Sequence, residues 1–77
     1  MPHVIIKMYP GRTDEQKKEM AARIVKDIAE VAACPENVVS VAIEETSKED
    51  WPEKVYRPDI MGKKDTLVVE PGYDPFT

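Results

Sequence analysis

The chain has little of what staples a small fold or builds a cofactor site. It contains one cysteine, Cys34, so no internal disulfide can form. Its one histidine, His3, lies too far from that cysteine for a zinc-ligand spacing. The three glycines make no phosphate-cradling loop, and no Ser-His-Asp set is present. No repeat or low-complexity segment interrupts the sequence. The longest uncharged apolar run, Val38-Val39-Ser40-Val41-Ala42-Ile43, is far too short to span a bilayer. The opening Met1-Pro2-His3-Val4-Ile5-Ile6-Lys7 is too short an apolar stretch for a signal peptide. Positive charge is also scarce: the net charge of −4 argues against nucleic-acid phosphate or an anionic membrane as partner. These shortages predict a cytoplasmic protein with Cys34 reduced, no metal, no cofactor, no nucleic acid and no membrane.

What remains is an ordinary globular composition, 42% hydrophobic and 34% charged, too apolar for a disordered chain. Seventy-seven residues make one domain. A chain this short buries only about 60% of the surface its unfolded form exposes. With no disulfide or metal to compensate, self-association is the expected stabiliser. Charge is unevenly spread. Residues 1–43 carry six acidic and six basic side chains, while residues 44–77 carry nine acidic and five basic ones. The reading is a single domain over 1–77, with a core over 1–45 and an acidic C-terminal extension over 46–77.

From His3 to Tyr9, Val4, Ile6 and Met8 alternate with His3, Ile5, Lys7 and Tyr9, which predicts a strand with one buried and one mixed face. Pro10-Gly11 ends it. Thr13 and Gln16 form a capping box, with Asp14 and Glu15 where a helix dipole favours them. Met20, Ile24, Ile28 and Val31 then recur at helical spacing, broadened by Ala21 and Ala32. Glu19 with Arg23, and Asp14 with Lys18, are pairs four residues apart. The spacing predicts a helix over about 14–33, stopping before Pro35. Val39, Val41 and Ile43 alternate with Ser40, Ala42 and Glu44 as a second strand. Strand, helix and strand form an α/β, β-α-β protomer whose strands are parallel with a right-handed crossover. Two copies set edge to edge would make a four-stranded sheet in a dimer. In the tail, Ser47 and Asp50 predict a short helix over 48–56 with Pro52 in its first turn. Arg57-Pro58-Asp59 and Gly62 are expected to break the chain. Thr66-Leu67-Val68-Val69 has strand propensity, closed by Pro71-Gly72.

The residue with most chemistry to offer is Pro2. Proline after the initiator methionine ordinarily allows Met1 to be removed, leaving a free secondary amine in a rigid ring. Most such prolines merely begin a chain. At the start of a buried strand, however, burial and a nearby cation both favour the neutral amine. A neutral amine near neutral pH is a general base, or a nucleophile towards carbonyls and activated alkynes. Arg12, just after the Pro10-Gly11 turn, can supply the cation and grip a carboxylate in a fork.

The run Pro2-His3-Val4-Ile5-Ile6-Lys7-Met8-Tyr9-Pro10-Gly11-Arg12-Thr13-Asp14-Glu15-Gln16-Lys17 resembles the opening of the 4-oxalocrotonate tautomerase family. The likeness continues through the helix to Pro35, through the second strand to Ile43, and to an aromatic at Trp51. The tail, with Glu70-Pro71-Gly72-Tyr73, looks like the longer small bacterial tautomerases. The resemblance implies a β-α-β protomer assembled into dimers or hexamers, and cofactor-free keto–enol tautomerisation of 2-oxo or 2-hydroxydienoic acids. By the same resemblance Pro2 is the catalytic base, Arg12 binds the substrate carboxylate, and Trp51 walls the site. The family's second arginine falls at Ser40 here, so a grip on two carboxylates is not expected unless Arg57 supplies it.

Three functions stay open. The favoured one is a tautomerase (an isomerase) acting on a small carboxylate substrate of the 2-hydroxy-dienoate or enolpyruvate type, with Pro2 as base, Arg12 on the anion, Trp51 and Tyr9 as apolar wall, and Ser40 as a substrate contact. The second is hydration or dehalogenation of unsaturated acids by the same proline, with Glu44 or Glu45 as candidates to activate water. The third is a non-catalytic oligomeric binding module. A homo-oligomer is expected, dimer favoured over hexamer because the acidic tail would cover hexamer-building surface. His3 is read as structural, and Cys34 as a small buried side chain.

Overall fold

Alternating side chains at the start of the chain fold as expected. A computed structural model describes residues 1–77, and its first strand, β1, spans His3–Met8. Val4, Ile6 and Met8 are half-buried, whereas His3 and Ile5 are exposed. The chain turns at Gly11, whose φ of 125° lies where glycine alone is comfortable. Helix α1, Asp14–Val31, opens on the expected capping box: the Gln16 N–H donates to Thr13 Oγ1 at 3.1 Å, and the Thr13 N–H to Gln16 Oε1 at 2.8 Å.

The helix ends two residues sooner than its apolar spacing suggests. Ala33 takes a left-handed conformation with φ of 56°, and the Cys34 N–H reaches back to the Ala29 carbonyl at 3.0 Å. That bond closes a Schellman-type end, which explains the stop ahead of Pro35. Met20, Ile24 and Ile28 are half-buried, but Val31, expected in the same stripe, sits in the last turn and is 87% exposed. Glu19 and Arg23 pair at 2.9 Å as expected. Asp14 is approached instead by Lys17, at 3.6 Å, which also pairs with Glu45 at 3.3 Å. The Glu45 carboxylate, helped by Asp14, raises the Lys17 pKa.

After a 3₁₀ turn at Glu36–Val38, strand β2, Ser40–Glu45, pairs parallel with β1 in a register that sets His3 beside Ser40, Ile5 beside Ala42 and Ile6 beside Ile43. Helix α1 covers the face carrying Val4, Ile6, Val41 and Ile43, and the Lys17–Glu45 pair lies on that side. His3, Ile5, Ser40 and Ala42 occupy the other face. Two strands leave both sheet edges open, and no side chain among residues 1–45 is buried.

The chain divides into two compact units, Met1–Glu45 and Thr46–Thr77. In the second, Ser47 starts the helical segment: its Oγ accepts the Asp50 N–H at 3.2 Å, and its carbonyl accepts the Trp51 N–H at 3.0 Å. Pro52 then stands in the first turn of a π-helix, Pro52–Met61. The break expected at Arg57-Pro58-Asp59 does not occur. In an α-helix the Pro58 ring would meet the Lys54 carbonyl, and the wider π winding relieves that clash. The Gly62 N–H closes the last turn on the Arg57 carbonyl at 2.9 Å. A Cβ at Gly62 would stand 2.6 Å from the Pro58 carbonyl oxygen, so the close approach requires glycine.

The strand expected over 66–69 is absent as well. Thr66 ends a 3₁₀ turn, Lys64–Thr66, with its hydroxyl donating to the Lys63 carbonyl at 2.7 Å. Val68 and Val69 are 97% and 83% exposed. Strand propensity is realised only against a partner edge, and this segment meets none. The buried residues of the chain are Val55 and Tyr56, both on the π-helix. No helix is long and apolar enough to cross a membrane.

Candidate functional site

Pro2, Tyr9, Arg12 and Ser40 belong to the first unit, and Trp51 to the second. Pro2 is half-buried, and its carbonyl accepts the Ser40 N–H at 3.1 Å. That bond carries the backbone pairing one residue ahead of β1. Met1, by contrast, is wholly exposed. Ser40 is tied to the same end of the sheet through its side chain, since its Oγ lies 2.6 Å from His3 Nδ1.

Arg12 projects from the loop between β1 and α1. The Gly11 conformation turns the chain there, and the Thr13 cap fixes where the helix begins. Arg12 is exposed, and no carboxylate of the chain pairs with it. An unpaired guanidinium retains its full fork of donors for an anion. Tyr9, one residue beyond β1, is 38% exposed.

Arg57 is differently placed. Its Nε and one terminal nitrogen donate to the two oxygens of Glu53 at 2.9 and 3.1 Å, and its guanidinium carbon lies 4.5 Å from the centre of the Phe76 ring. This pairing lowers the Glu53 pKa and raises that of Arg57. An arginine whose fork and face are both occupied is a poor substitute for a missing carboxylate grip. Glu45 is likewise engaged by Lys17.

Trp51 is half-buried and donates its indole N–H to the Tyr73 hydroxyl at 2.8 Å. Sequence reasoning missed two partners, then: His3 beside Ser40, and Tyr73 beside Trp51. The first had a signal in the strand register. The second, between residues 22 apart with a π-helix and a 3₁₀ turn between them, had none. A cavity of about 170 Å³ beside Tyr56, Ile60 and Leu67 contains none of the expected site residues. No three His, Cys, Asp or Glu side chains converge as a metal-binding group.

A family model described as tautomerase enzyme matches residues 2–53. A probable tautomerase of Xylella fastidiosa is 38% identical over 73 residues, spanning 95% of this chain and 89% of that protein. Among solved structures, an apo unfused 4-OT superposes with a TM-score of 0.62 at 31% identity, covering 64% of this chain and 80% of that one. A structure described for trans-3-chloroacrylic acid dehalogenase activity also gives a TM-score of 0.62, at 33% identity over 64% of this chain and 92% of that one.

Proposed function

The chain belongs to the tautomerase family, a family of isomerases, and from that premise we propose a cofactor-independent keto–enol tautomerase that uses Pro2 as its base once Met1 is removed. The observation that carries this reading is the hydrogen bond from the Ser40 N–H to the Pro2 carbonyl. It makes the proline a rigid part of the sheet, while the fully exposed Met1 is open to removal. The freed secondary amine, neutral, takes the proton of a substrate enol hydroxyl. The oxygen lone pair forms the carbonyl as the enol double bond shifts its electrons to carbon. The prolinium then returns its proton to that carbon and is neutral again.

The unpaired Arg12 holds the substrate carboxylate and draws electron density from the reacting system. Trp51 and Tyr9 supply apolar surface that keeps the dielectric low, and Ser40 offers a hydroxyl where the family resemblance implies a second guanidinium. The substrate class is a small enol or enolpyruvate-type acid with one carboxylate, handled in the cytoplasm. A homo-oligomer, a dimer rather than a hexamer, supplies the burial that residues 1–45 lack.

The dehalogenase likeness favours a second reading, hydration or dehalogenation of unsaturated acids by the same proline. That chemistry needs a carboxylate to activate water, and Glu45 is already paired with Lys17, which leaves Glu44. Tautomerisation needs no such group and is preferred. Intact mass before and after exposure to an alkynoic acid tests the reading. A mass lacking Met1, gaining one adduct at Pro2, is expected. Retained Met1 would exclude the amine chemistry and leave a binding module.

A further inference from the structure

Trp51 is the chain's one tryptophan, and its indole is held from the tail. A half-buried indole N–H needs an acceptor, and Tyr73 Oη provides it at 2.8 Å. Tyr73 is itself fixed twice. Its carbonyl accepts the Tyr56 hydroxyl at 3.0 Å, and its ring meets the Tyr56 ring edge-on with centroids 5.3 Å apart. Tyr56 is 8% exposed, so the tail is moored to one of the two buried residues of the chain. Phe76 adds a second mooring, edge-on to Tyr56 at 5.8 Å and facing the Arg57 guanidinium, which Glu53 anchors in turn. The aromatic and ionic contacts of residues 73–76 all fasten the tail to the π-helix. What that fastening delivers is one hydroxyl at the indole nitrogen.

We propose that Tyr73 is a positioning residue: it fixes the orientation of the Trp51 indole, and so the shape of the apolar wall that selects an aromatic or alkyl enol acid. The proposal rests on the reading of Trp51 as a wall of the Pro2 site. The acidic extension thereby acquires a role in specificity, carried through Trp51 rather than by touching substrate. Loss of one hydrogen bond leaves the indole its bulk but loosens its orientation. The effect belongs in substrate binding more than in the proton transfer that Pro2 performs.

The test is Tyr73→Phe in the full chain, which keeps the ring against Tyr56 and the carbonyl bond while removing the indole's acceptor. Trp51 fluorescence reports the contact without interference from other tryptophans. Expected are a changed indole emission and a KM for phenylenolpyruvate raised roughly 2- to 10-fold with kcat little altered, as for the loss of one hydrogen bond. A small aliphatic enol acid should be affected less. In a Trp51→Phe background, Tyr73→Phe should have no further effect on KM. An unchanged KM, or an effect that persists undiminished without the indole, would overturn the proposal. Should Tyr73→Phe fail to fold, Tyr56→Phe loosens Tyr73 by removing only the bond to its carbonyl, and the same KM criterion applies. Pro2→Ala measured in parallel separates the two ideas. If it abolishes turnover while Tyr73→Phe does nothing, the positioning role alone falls. If Pro2→Ala leaves turnover intact, the base assignment falls, and quenching of Trp51 by a bound aromatic acid in wild type and Tyr73→Phe still decides the role of Tyr73.

Discussion

Ser40 Oγ lies 2.6 Å from His3 Nδ1, and the two residues are register partners at the open end of the sheet. The pair hangs beside Pro2, whose carbonyl accepts a hydrogen bond from the Ser40 N–H. When the imidazole nitrogen donates, the serine hydroxyl proton is left for a third oxygen. A hydroxyl so oriented can hydrogen-bond a carbonyl or an enol, but it cannot neutralise a carboxylate.

Substrate choice follows from that limit. A second carboxylate without a cation is costly to desolvate. We expect a higher kcat/KM for phenylenolpyruvate than for 2-hydroxymuconate. Ser40→Arg should shift the preference towards the dicarboxylate. Ultraviolet decay rates of both substrates on wild type and variant check this, and a wild-type preference for the dicarboxylate would contradict it.

Pro2→Ala keeps a terminal amine but exchanges a rigid secondary amine for a flexible primary one, so most of the rate should be lost. In wild type, activity should rise with pH through the folded pKa of the Pro2 amine, because the neutral form is the base. Arg12→Ala should lower kcat/KM by roughly ten- to a thousand-fold through lost charge stabilisation. Steady-state kinetics over a pH series measure both effects.

Assembly can be checked by light scattering. With no buried side chain among residues 1–45 and both sheet edges open, the folded protein should be at least a dimer at micromolar concentration. A folded monomer under those conditions would contradict this.

Ala33 carries a Cβ in the left-handed conformation that ends α1. Ala33→Gly removes that strain and should stabilise the protein by about 1 kcal/mol, part of the gain being offset by the more flexible unfolded chain. At fixed protein concentration the thermal midpoint should rise by about 4–8 °C. A lowered midpoint would show that the strain is relieved in some other way.

Alkaline pH should loosen the second unit. Burial, aided by Asp74 and Tyr73, raises the Tyr56 pKa above its ordinary value. A raised folded pKa favours the protonated form, so its stability is complete below the unfolded pKa of about 10 and is lost as pH rises through the folded value. Lys17, also raised, has the same sign over the same range. Phenolate absorbance followed alongside circular dichroism should show one tyrosine titrating late and unfolding accompanying it. Tyr56→Phe should remove the late titration.

The first unit was legible because its determinants are local. Alternation in β1, the Thr13 and Gln16 cap, and the spacing of Met20, Ile24 and Ile28 each act within a few residues. The same locality misled in the tail. Pro58 signals a break in an α-helix, but a wider winding absorbs it, and Thr66 to Val69 has strand propensity yet pairs with no strand. Pro2, Arg12 and Ser40 could be proposed as site residues from the sequence alone, whereas the hydroxyl that holds Trp51 gave no such signal. That contact depends on how the tail returns to the π-helix, which no periodicity encodes.

The π winding of Pro52–Met61 also constrains how this segment can vary in length. A π turn contains one more residue than an α turn, so removing one residue would ordinarily allow the helix to tighten into the commoner form. Pro58 blocks that escape, because its ring would meet a carbonyl in the tighter coil. Deletions within the segment are therefore expected to unravel the helix rather than shorten it. Those that also remove Pro58 should be tolerated, at the cost of rotating Tyr56 relative to the residues beyond it and releasing the tail. The proline acts as a frame lock, tying residue count to the direction in which each side chain points.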